Sequence, residues 1–383
     1  MGPTLTRPSA TLSHPMGEGR GEGFREANRR RSEYFRTVTW VFAGLAAVCF
    51  LSGCLSGNPG ITILNLETGR QVIRTVPGSF NELPIDVDAA GKTFRTIQRS
   101  ETNSLVLRTV NFQGKTKTEK AFPIPDSALE AYGSTWAYAI SPKGDAVAYL
   151  DASSHELRIY DFALKSSRTI ASPAGGSSVQ VSFLFWTDGG RLIFGAHDLN
   201  AVEHDLILLV DSNTGTQEIL AQPVALAAFQ NALSPSGRFL AYWEGTRRSS
   251  MEGRLVLYDL ASRTPVGVVK SMSGKWLSRP QWNVHEDCLA YEEGARQIMM
   301  YAVSDRTSYV VAEAATNQMV YLNGFGSREV LYKTSPKMGS PMDEPLRIRD
   351  VYGPKERQIA GVRINGPAFV VENGAILIAK TGF

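Results

Sequence analysis

The sequence predicts an all-β fold, a seven-bladed β-propeller of four-stranded antiparallel blades. A strand–turn–strand motif occurs seven times, and neighbouring copies are 41 to 53 residues apart. Several copies are followed by a second strand pair, and almost no stretch has a helical period. Four strands in a repeat of about 45 residues are typical of propeller blades.

Residues 1–53 are predicted to be a leader that lies outside this fold. A basic cluster at 29–36 precedes an apolar run at 38–51, which is 14 residues long. A bilayer span needs roughly 20 residues, so this layout indicates a secretory signal. The segment Leu51-Ser52-Gly53-Cys54 resembles the lipobox of bacterial lipoproteins, which implies cleavage before Cys54 and its lipidation. An ordinary signal peptide or a signal anchor ending in cysteine is the alternative.

The leader is longer than a signal peptide requires. Residues 13–23 are of low complexity and look like translated repetitive DNA. We therefore expect translation to start at Met16 or later, with residues 1–28 wrongly assigned to the protein. Residues 54–59 then form a lipidated tether, and residues 60–383 form the propeller.

The repeat is clearest at AISPKGDAVAY (139–149) and ALSPSGRFLAY (232–242). Weaker copies lie at 87–94 and 185–194, two others have lost the glycine of the turn, and the last copy is at 370–378. One turn residue per copy serves as an anchor: Gly91, Gly144, Gly190, Gly237, Glu286, Ser327 and Gly374.

The two ends of the chain complete each other. The C-terminal copy stops after two strands, and residues 60–76 supply two strands before the first full repeat. We therefore expect the N- and C-terminal strands to share a seventh blade, which closes the ring and removes exposed edges. A β-sandwich or barrel is the alternative fold, but neither needs seven similarly spaced copies. Six or eight blades would require one copy to be misassigned.

The turn phrase, followed by a strand such as LRIYDF or LVLYDL, resembles the repeat of TolB-like propellers over about residues 60–383. The resemblance implies a periplasmic protein that binds peptide segments and lipoproteins of the cell envelope. It covers the propeller alone, because the α/β domain that precedes the propeller in TolB has no room between Cys54 and Gly60.

Composition narrows the classes of function. Residues 54–383 hold 33 basic and 33 acidic side chains, which argues against a nucleic-acid partner. Beyond Cys54 the one cysteine is Cys288, so an internal disulfide and a multi-thiolate metal site are excluded. We expect Cys288 to be a small buried side chain.

No sequence motif indicates catalysis. The G-x-S-x-G elbow, the P-loop and the dinucleotide fingerprint are all absent. His197, Asp198, Glu203, His204 and Asp205 could ligate a metal, but a solvated polar loop is the more ordinary interpretation. We predict no catalytic residue, no metal and no cofactor. The acids at turns and strand ends are expected to cap backbone groups: Asp145, Asp161, Asp188 and Asp259.

Long loops are the best candidates for function. The links between second and third strands and the links between blades leave the same face, and three are long, at about 196–204, 244–253 and 333–344. Two adjacent blades present basic and aromatic side chains there, types that often dominate binding energy. Solvated charges and a tryptophan packed under its own loop are the alternative. The predicted partner-binding residues are Arg247, Arg248, Lys275, Trp276 and Arg279.

Together these features predict a monomeric, membrane-tethered interaction module of the periplasm rather than an enzyme. Its partner would be an envelope protein or peptide, and the cationic loops favour an anionic one. Leu55 follows Cys54, which by resemblance to enterobacterial sorting favours the outer membrane. The alternative is a propeller that binds or processes envelope polysaccharide or peptides, which convergent acids in the central channel would favour.

Overall fold

The computed structural model is built from seven antiparallel sheets, as the sequence predicts. None of the described residues forms a helix with the length and apolarity needed to cross a membrane. The structure describes residues 60–381 except 75–81, 89, 101–103, 124–137, 152–153, 155, 172–178, 188, 199–204, 227–230, 247–252, 273–279, 337–343, 363, 365–367 and 372–375.

Blades 1 to 6 each use consecutive strands, ordered from the inner strand to the outer strand. Blade 1 contains β3 (Leu83–Asp88), β4 (Thr93–Arg99), β5 (Ser104–Asn111) and β6 (Thr116–Pro123). Blade 2 contains β7 (Tyr138–Ile140), β8 (Ala146–Asp151), β9 (Glu156–Asp161) and β10 (Ser166–Ala171). Blade 3 contains β11 (Val179–Trp186), β12 (Arg191–Asp198), β13 (Leu206–Asp211) and β14 (Gln217–Ala221). Blade 4 contains β15 (Ala225–Leu226), β16 (Ala232–Leu233), β17 (Phe239–Gly245), β18 (Gly253–Asp259) and β19 (Thr264–Met272). Blade 5 contains β20 (Gln281–Trp282), β21 (Cys288–Glu293), β22 (Gln297–Ala302) and β23 (Thr307–Glu313). Blade 6 contains β24 (Gln318–Phe325), β25 (Glu329–Pro336), β26 (Leu346–Asp350) and β27 (Glu356–Ile359).

Blade 7 combines the two ends of the propeller. Its order from the inner strand is β28 (Ala368–Val371), β29 (Ile376–Thr381), β1 (Gly60–Asn65) and β2 (Gln71–Arg74). The central pair of strands is antiparallel, with Ile63 opposite Ile378. The prediction of a shared closing blade is therefore confirmed. Blade 4 differs from the four-strand pattern, because β15 and β16 both pair with β17 and divide the inner position.

Among the described residues, buried apolar side chains form seven clusters, one between each pair of successive blades. The sequence of strand β8 is apolar at nearly every position because both of its faces are buried. Val147 and Tyr149 pack toward blade 1, whereas Ala148 and Leu150 pack toward blade 3. Because successive side chains of a strand point to opposite faces, a blade buried on both faces needs apolar residues at every position.

The two ends of the propeller have different connections. At one end, the turn end, the links between first and second strands and between third and fourth strands span three to five residues. At the opposite end, the loop end, the links between second and third strands and between blades span up to 14 residues, at 124–137. Antiparallel pairing alone dictates that these two sets of links alternate between ends.

Turn chemistry explains why the turn end is tight. The predicted anchors Gly144, Gly190 and Gly237 have φ values of 66°, 70° and 74°, which glycine adopts without steric cost. In blade 1 the left-handed residue is Lys92 instead, one position after the anchor Gly91. In six blades, an Asn or Asp at the end of the third strand accepts backbone N–H groups of the next turn: Asn65, Asn111, Asp161, Asp211, Asp259 and Asp350.

Candidate functional site

The predicted site residues lie outside the described residues. This holds for Cys54 and for all five predicted partner-binding residues. Arg247 and Arg248 belong to the link between β17 and β18, and the other three belong to the link between β19 and β20. The structure instead defines the strand ends from which those two links leave.

A single row of backbone pairs crosses blade 4 at the loop end. Gly245 at the end of β17 pairs with Ala225 on β15 and with Gly253 on β18. Gly253 in turn pairs with Met272 at the end of β19. Both predicted links therefore leave neighbouring strands of blade 4, and the second link continues into the adjacent blade 5.

The base of the first link is closely packed. A Cβ atom on Gly253 would overlap the carbonyl oxygen of Glu244 and lie 2.9 Å from the ring of the buried Trp243. Arg254 Nε donates to Glu244 Oε2 at 2.8 Å across the same strand pair. That hydrogen bond raises the pKa of Arg254 above its ordinary value. The two strands that flank the link with Arg247 and Arg248 are thus held together by close backbone packing and by an ion pair.

Asp205 connects this blade to blade 3. Its side chain is 0% exposed, and its Oδ2 accepts a hydrogen bond from Leu226 N at 2.6 Å. The backbone N–H of Asp205 donates to the carbonyl of Pro223 at 2.9 Å. A carboxylate held this way fixes the position of β15 beside blade 3. The sequence places Asp205 in a polar loop, and no local pattern indicates its contact with Leu226.

The polar loop predicted around residues 197–205 is shorter than expected. Strand β12 continues to Asp198, so His197 and Asp198 belong to a strand. Glu203 and His204 lie outside the described residues. Among the residues that are described, no group of three or more His, Cys, Asp or Glu side chains is arranged to hold a metal ion.

The central channel was the predicted location for acids in the alternative function. The inner strands of neighbouring blades approach one another, and among their described residues carboxylates occur on β3 alone. Asp86 on that strand accepts a hydrogen bond from Arg95 Nε at 2.7 Å, and Arg95 Nη1 also donates to Ser141 O of blade 2. Burial raises the pKa of Asp86 more than Arg95 lowers it. Asp86 therefore helps to join two blades and has no facing carboxylate among these strand residues.

The remaining predictions concern single side chains, most of them at turns. Asp161 and Asp259 accept backbone N–H groups as capping residues do, whereas Asp145 makes a hydrogen bond within its turn by accepting from the side-chain Oγ of Ser141 at 2.6 Å. Asp188 lies outside the described residues. Cys288 is buried, and burial raises the pKa of its thiol, as expected for an unreactive packing residue.

Comparison with known proteins identifies the fold but no family. No protein-family model matches the chain, and no curated protein matches its sequence. An oligogalacturonate lyase from Vibrio parahaemolyticus superposes with a TM-score of 0.58 at 12% identity, covering 85% of this chain and 97% of the lyase. An oligogalacturonate lyase in complex with manganese gives a TM-score of 0.57 at 12% identity over the same shares.

A prolyl endopeptidase gives a TM-score of 0.51 at 11% identity, covering 78% of this chain and 46% of that enzyme. This chain therefore spans less than half of the endopeptidase. At such low identity these similarities establish a shared propeller architecture and carry no information about substrate.

Proposed function

We propose that this chain is a lipid-tethered binding module of the bacterial cell envelope, with its partner docking at the loop end of blade 4. One observation carries the proposal: the row Ala225–Gly245–Gly253–Met272. The two links that carry the predicted basic and aromatic residues therefore begin and end on hydrogen-bonded neighbouring strands of blade 4, except where the second link enters blade 5. Binding residues concentrate on loops that a rigid scaffold positions.

Charge favours an acidic partner for this end. The two links contain four basic residues, Arg247, Arg248, Lys275 and Arg279, and one acidic residue, Glu252. Residues 54–383 as a whole are balanced, with 33 basic and 33 acidic side chains. A local cationic cluster attracts a carboxylate-rich envelope protein or peptide, and salt weakens that attraction. Trp276 would supply apolar contact area in the same cluster.

Charge reversal tests the docking end directly. We expect Arg247→Glu with Arg248→Glu, in the membrane-tethered chain, to abolish co-purification of the partner and its salt dependence. Lys143→Glu with Lys165→Glu is the matched control, because both lysines are exposed at the turn end of blade 2. If both double variants keep the same partners, the loop end of blade 4 is not the site.

Lipidation at Cys54 is the second part of the proposal. We expect Cys54→Ser to yield an uncleaved or soluble chain, and the parent chain to carry lipid on Cys54 by mass spectrometry. With Leu55 next to Cys54, the lipidated chain is expected in the outer-membrane fraction, facing the periplasm. Unchanged membrane partitioning of the variant, with no lipid on the parent, would refute the tether.

An envelope polysaccharide- or peptide-processing propeller is the competing function. Assays of the purified chain against glycan and peptide libraries distinguish the two. Turnover of any member would replace the binding-module proposal, whereas binding without turnover agrees with it.

A further inference from the structure

The chain enters the propeller through blade 7, and it does so at the loop end. Strand β1 begins at Gly60 and ends at Asn65, which leads into the turn-end link to β2. Gly60 therefore lies at the opposite end of the strand, where it pairs with Thr381 at the end of β29. The segment that precedes Gly60 consequently meets the propeller at its loop end.

Backbone pairing on both sides fixes the position of this entry point. Ile61 pairs with Lys380 of β29 and with Arg74 of β2, so β1 has a hydrogen-bonded neighbour along each edge. Gly60 and Ile61 are both buried, and Ile61 packs in the cluster between blades 7 and 1. Moving the start of β1 would break pairing and open that cluster, so Gly60 is a fixed attachment point for the preceding segment.

The proposed tether is short compared with the height of a blade. Residues 54–59 span at most about 20 Å when fully extended. The six residues of β1 rise by about the same distance, roughly 20 Å, from the loop end to the turn end. A lipid on Cys54 therefore keeps the loop end of blade 7 within about 20 Å of the membrane surface. The turn end could reach that surface only if the whole tether ran back, fully extended, along the outside of blade 7.

We propose that the loop end of the propeller faces the membrane that holds the lipid, and that the turn end faces away from it. This orientation rests on the proposed lipidation of Cys54. The links at the loop end of blade 4 leave the same end of the propeller as the segment before Gly60. A partner that docks on those links then lies on the membrane side of the propeller. Its class is therefore a membrane-anchored envelope protein with an acidic segment close to the bilayer surface.

Energy transfer to labelled lipid headgroups tests the orientation. The lipidated chain would be added to preformed vesicles of phosphatidylethanolamine and phosphatidylglycerol that contain dye-labelled phosphatidylethanolamine. A fluorophore is attached to one introduced cysteine at an exposed position, because the native Cys288 is buried. Thr316→Cys and Ser304→Cys lie at the loop end and the turn end on either side of β23. Val224→Cys and Asn213→Cys form the matched pair on either side of β14.

We expect the transfer rate at each loop-end position to exceed that at its turn-end partner at least about fivefold, because an outer strand about 20 Å long separates them. Inserting about 30 Gly and Ser residues after Gly57 should remove the difference, since such a linker is flexible and reaches much further. Equal transfer at the two ends of the lipidated chain, or stronger transfer at the turn end, overturns the orientation alone. Mass spectrometry of the same sample detects the lipid, and its absence from Cys54 refutes the tether and the orientation together.

The location of the partner gives a second readout. In cells that lack this chain, we expect the protein that co-purifies with it to sediment with the membranes. A partner recovered in the soluble periplasmic fraction overturns the assignment to a membrane-anchored protein, whereas docking at the loop end of blade 4 is tested separately by the charge reversals at Arg247 and Arg248.

Discussion

Glu286 occupies a position that three other blades give to glycine. Its φ is 60°, and its carboxylate accepts hydrogen bonds from Ser234 Oγ at 3.2 Å, Ser236 Oγ at 2.5 Å and Ser236 N. The serines belong to the corresponding turn of blade 4. A left-handed conformation costs a non-glycine residue about 1–2 kcal/mol, and these interblade hydrogen bonds offset that cost.

Substitution at Glu286 separates the strain from the hydrogen bonds. Glu286→Ala keeps the strained backbone and loses the acceptor, so we expect the free energy of unfolding to fall by about 1–3 kcal/mol. Glu286→Gly also loses the acceptor but relieves the strain, so its loss should be smaller. Urea unfolding midpoints measure both variants. A glycine variant less stable than the alanine variant would contradict this account.

Asp259 makes the free energy of unfolding depend on pH in the acidic range. Burial tends to raise its pKa, but hydrogen bonds from Arg238 and from the N–H groups of Ala261 and Ser262 outweigh burial and lower it. A lowered pKa in the folded state means stabilisation that is present above the unfolded-state pKa. This stabilisation is lost as pH falls through the folded-state pKa.

The variant Asp259→Asn should therefore be less acid-sensitive. Asparagine keeps the turn acceptor, as Asn65 and Asn111 do in blades 7 and 1, but it does not titrate. We expect the stability advantage of the parent over the variant to shrink between about pH 5 and pH 2. Unfolding free energies across that range measure the advantage, and a constant difference would refute the linkage.

At the scale of single elements, the two glycines of β18 and β19 differ in their surroundings. A Cβ on Gly253 would overlap Glu244 and Trp243, whereas a Cβ on Gly267 meets nothing within 4 Å. We expect Gly253→Ala to cost about 1–3 kcal/mol through overpacking, and Gly267→Ala to be close to neutral.

These variants also test the proposed docking end. Displacement of β18 by Gly253→Ala moves the base of the 246–252 link, so partner affinity should fall while Gly267→Ala retains it. Unfolding curves and co-purification of the partner are the two measurements. Equal affinity in both variants, with Gly253→Ala destabilised, would show that the partner does not depend on this row.

Ring closure operates at the scale of the whole molecule. Strand β29 lies second in blade 7, with Ile378 packing toward blade 1 and Leu377 and Ala379 packing toward blade 6. Its removal would expose the edge of β1 and open two interblade clusters at once.

Deletion of residues 369–383 should therefore destabilise the entire domain rather than fray one end. We expect a markedly lower melting temperature for the whole transition, followed by circular dichroism. Deletion of residues 382–383 alone is the control and should leave the melting temperature nearly unchanged. If the longer deletion melts at the parent temperature, blade 7 does not hold the ring together.

The sequence by itself determined the number of blades, the strand order within them and the sharing of the closing blade. These features repeat locally, so a turn such as Ser141 to Gly144 can be recognised without its neighbours. The alternation of links between two ends also follows from strand parity, which is why the long loops could be assigned to one end.

Only the tertiary structure decided which residues meet between repeats. Glu286 contacts Ser236 across 50 residues and Asp205 contacts Leu226 across 21, and no local pattern encodes either pair. The row through Gly245 and Gly253 likewise depends on strand register, which backbone pairing and side-chain packing set together. Local periodicity specifies the blades, whereas long-range packing specifies how blades join and where the candidate site is rooted.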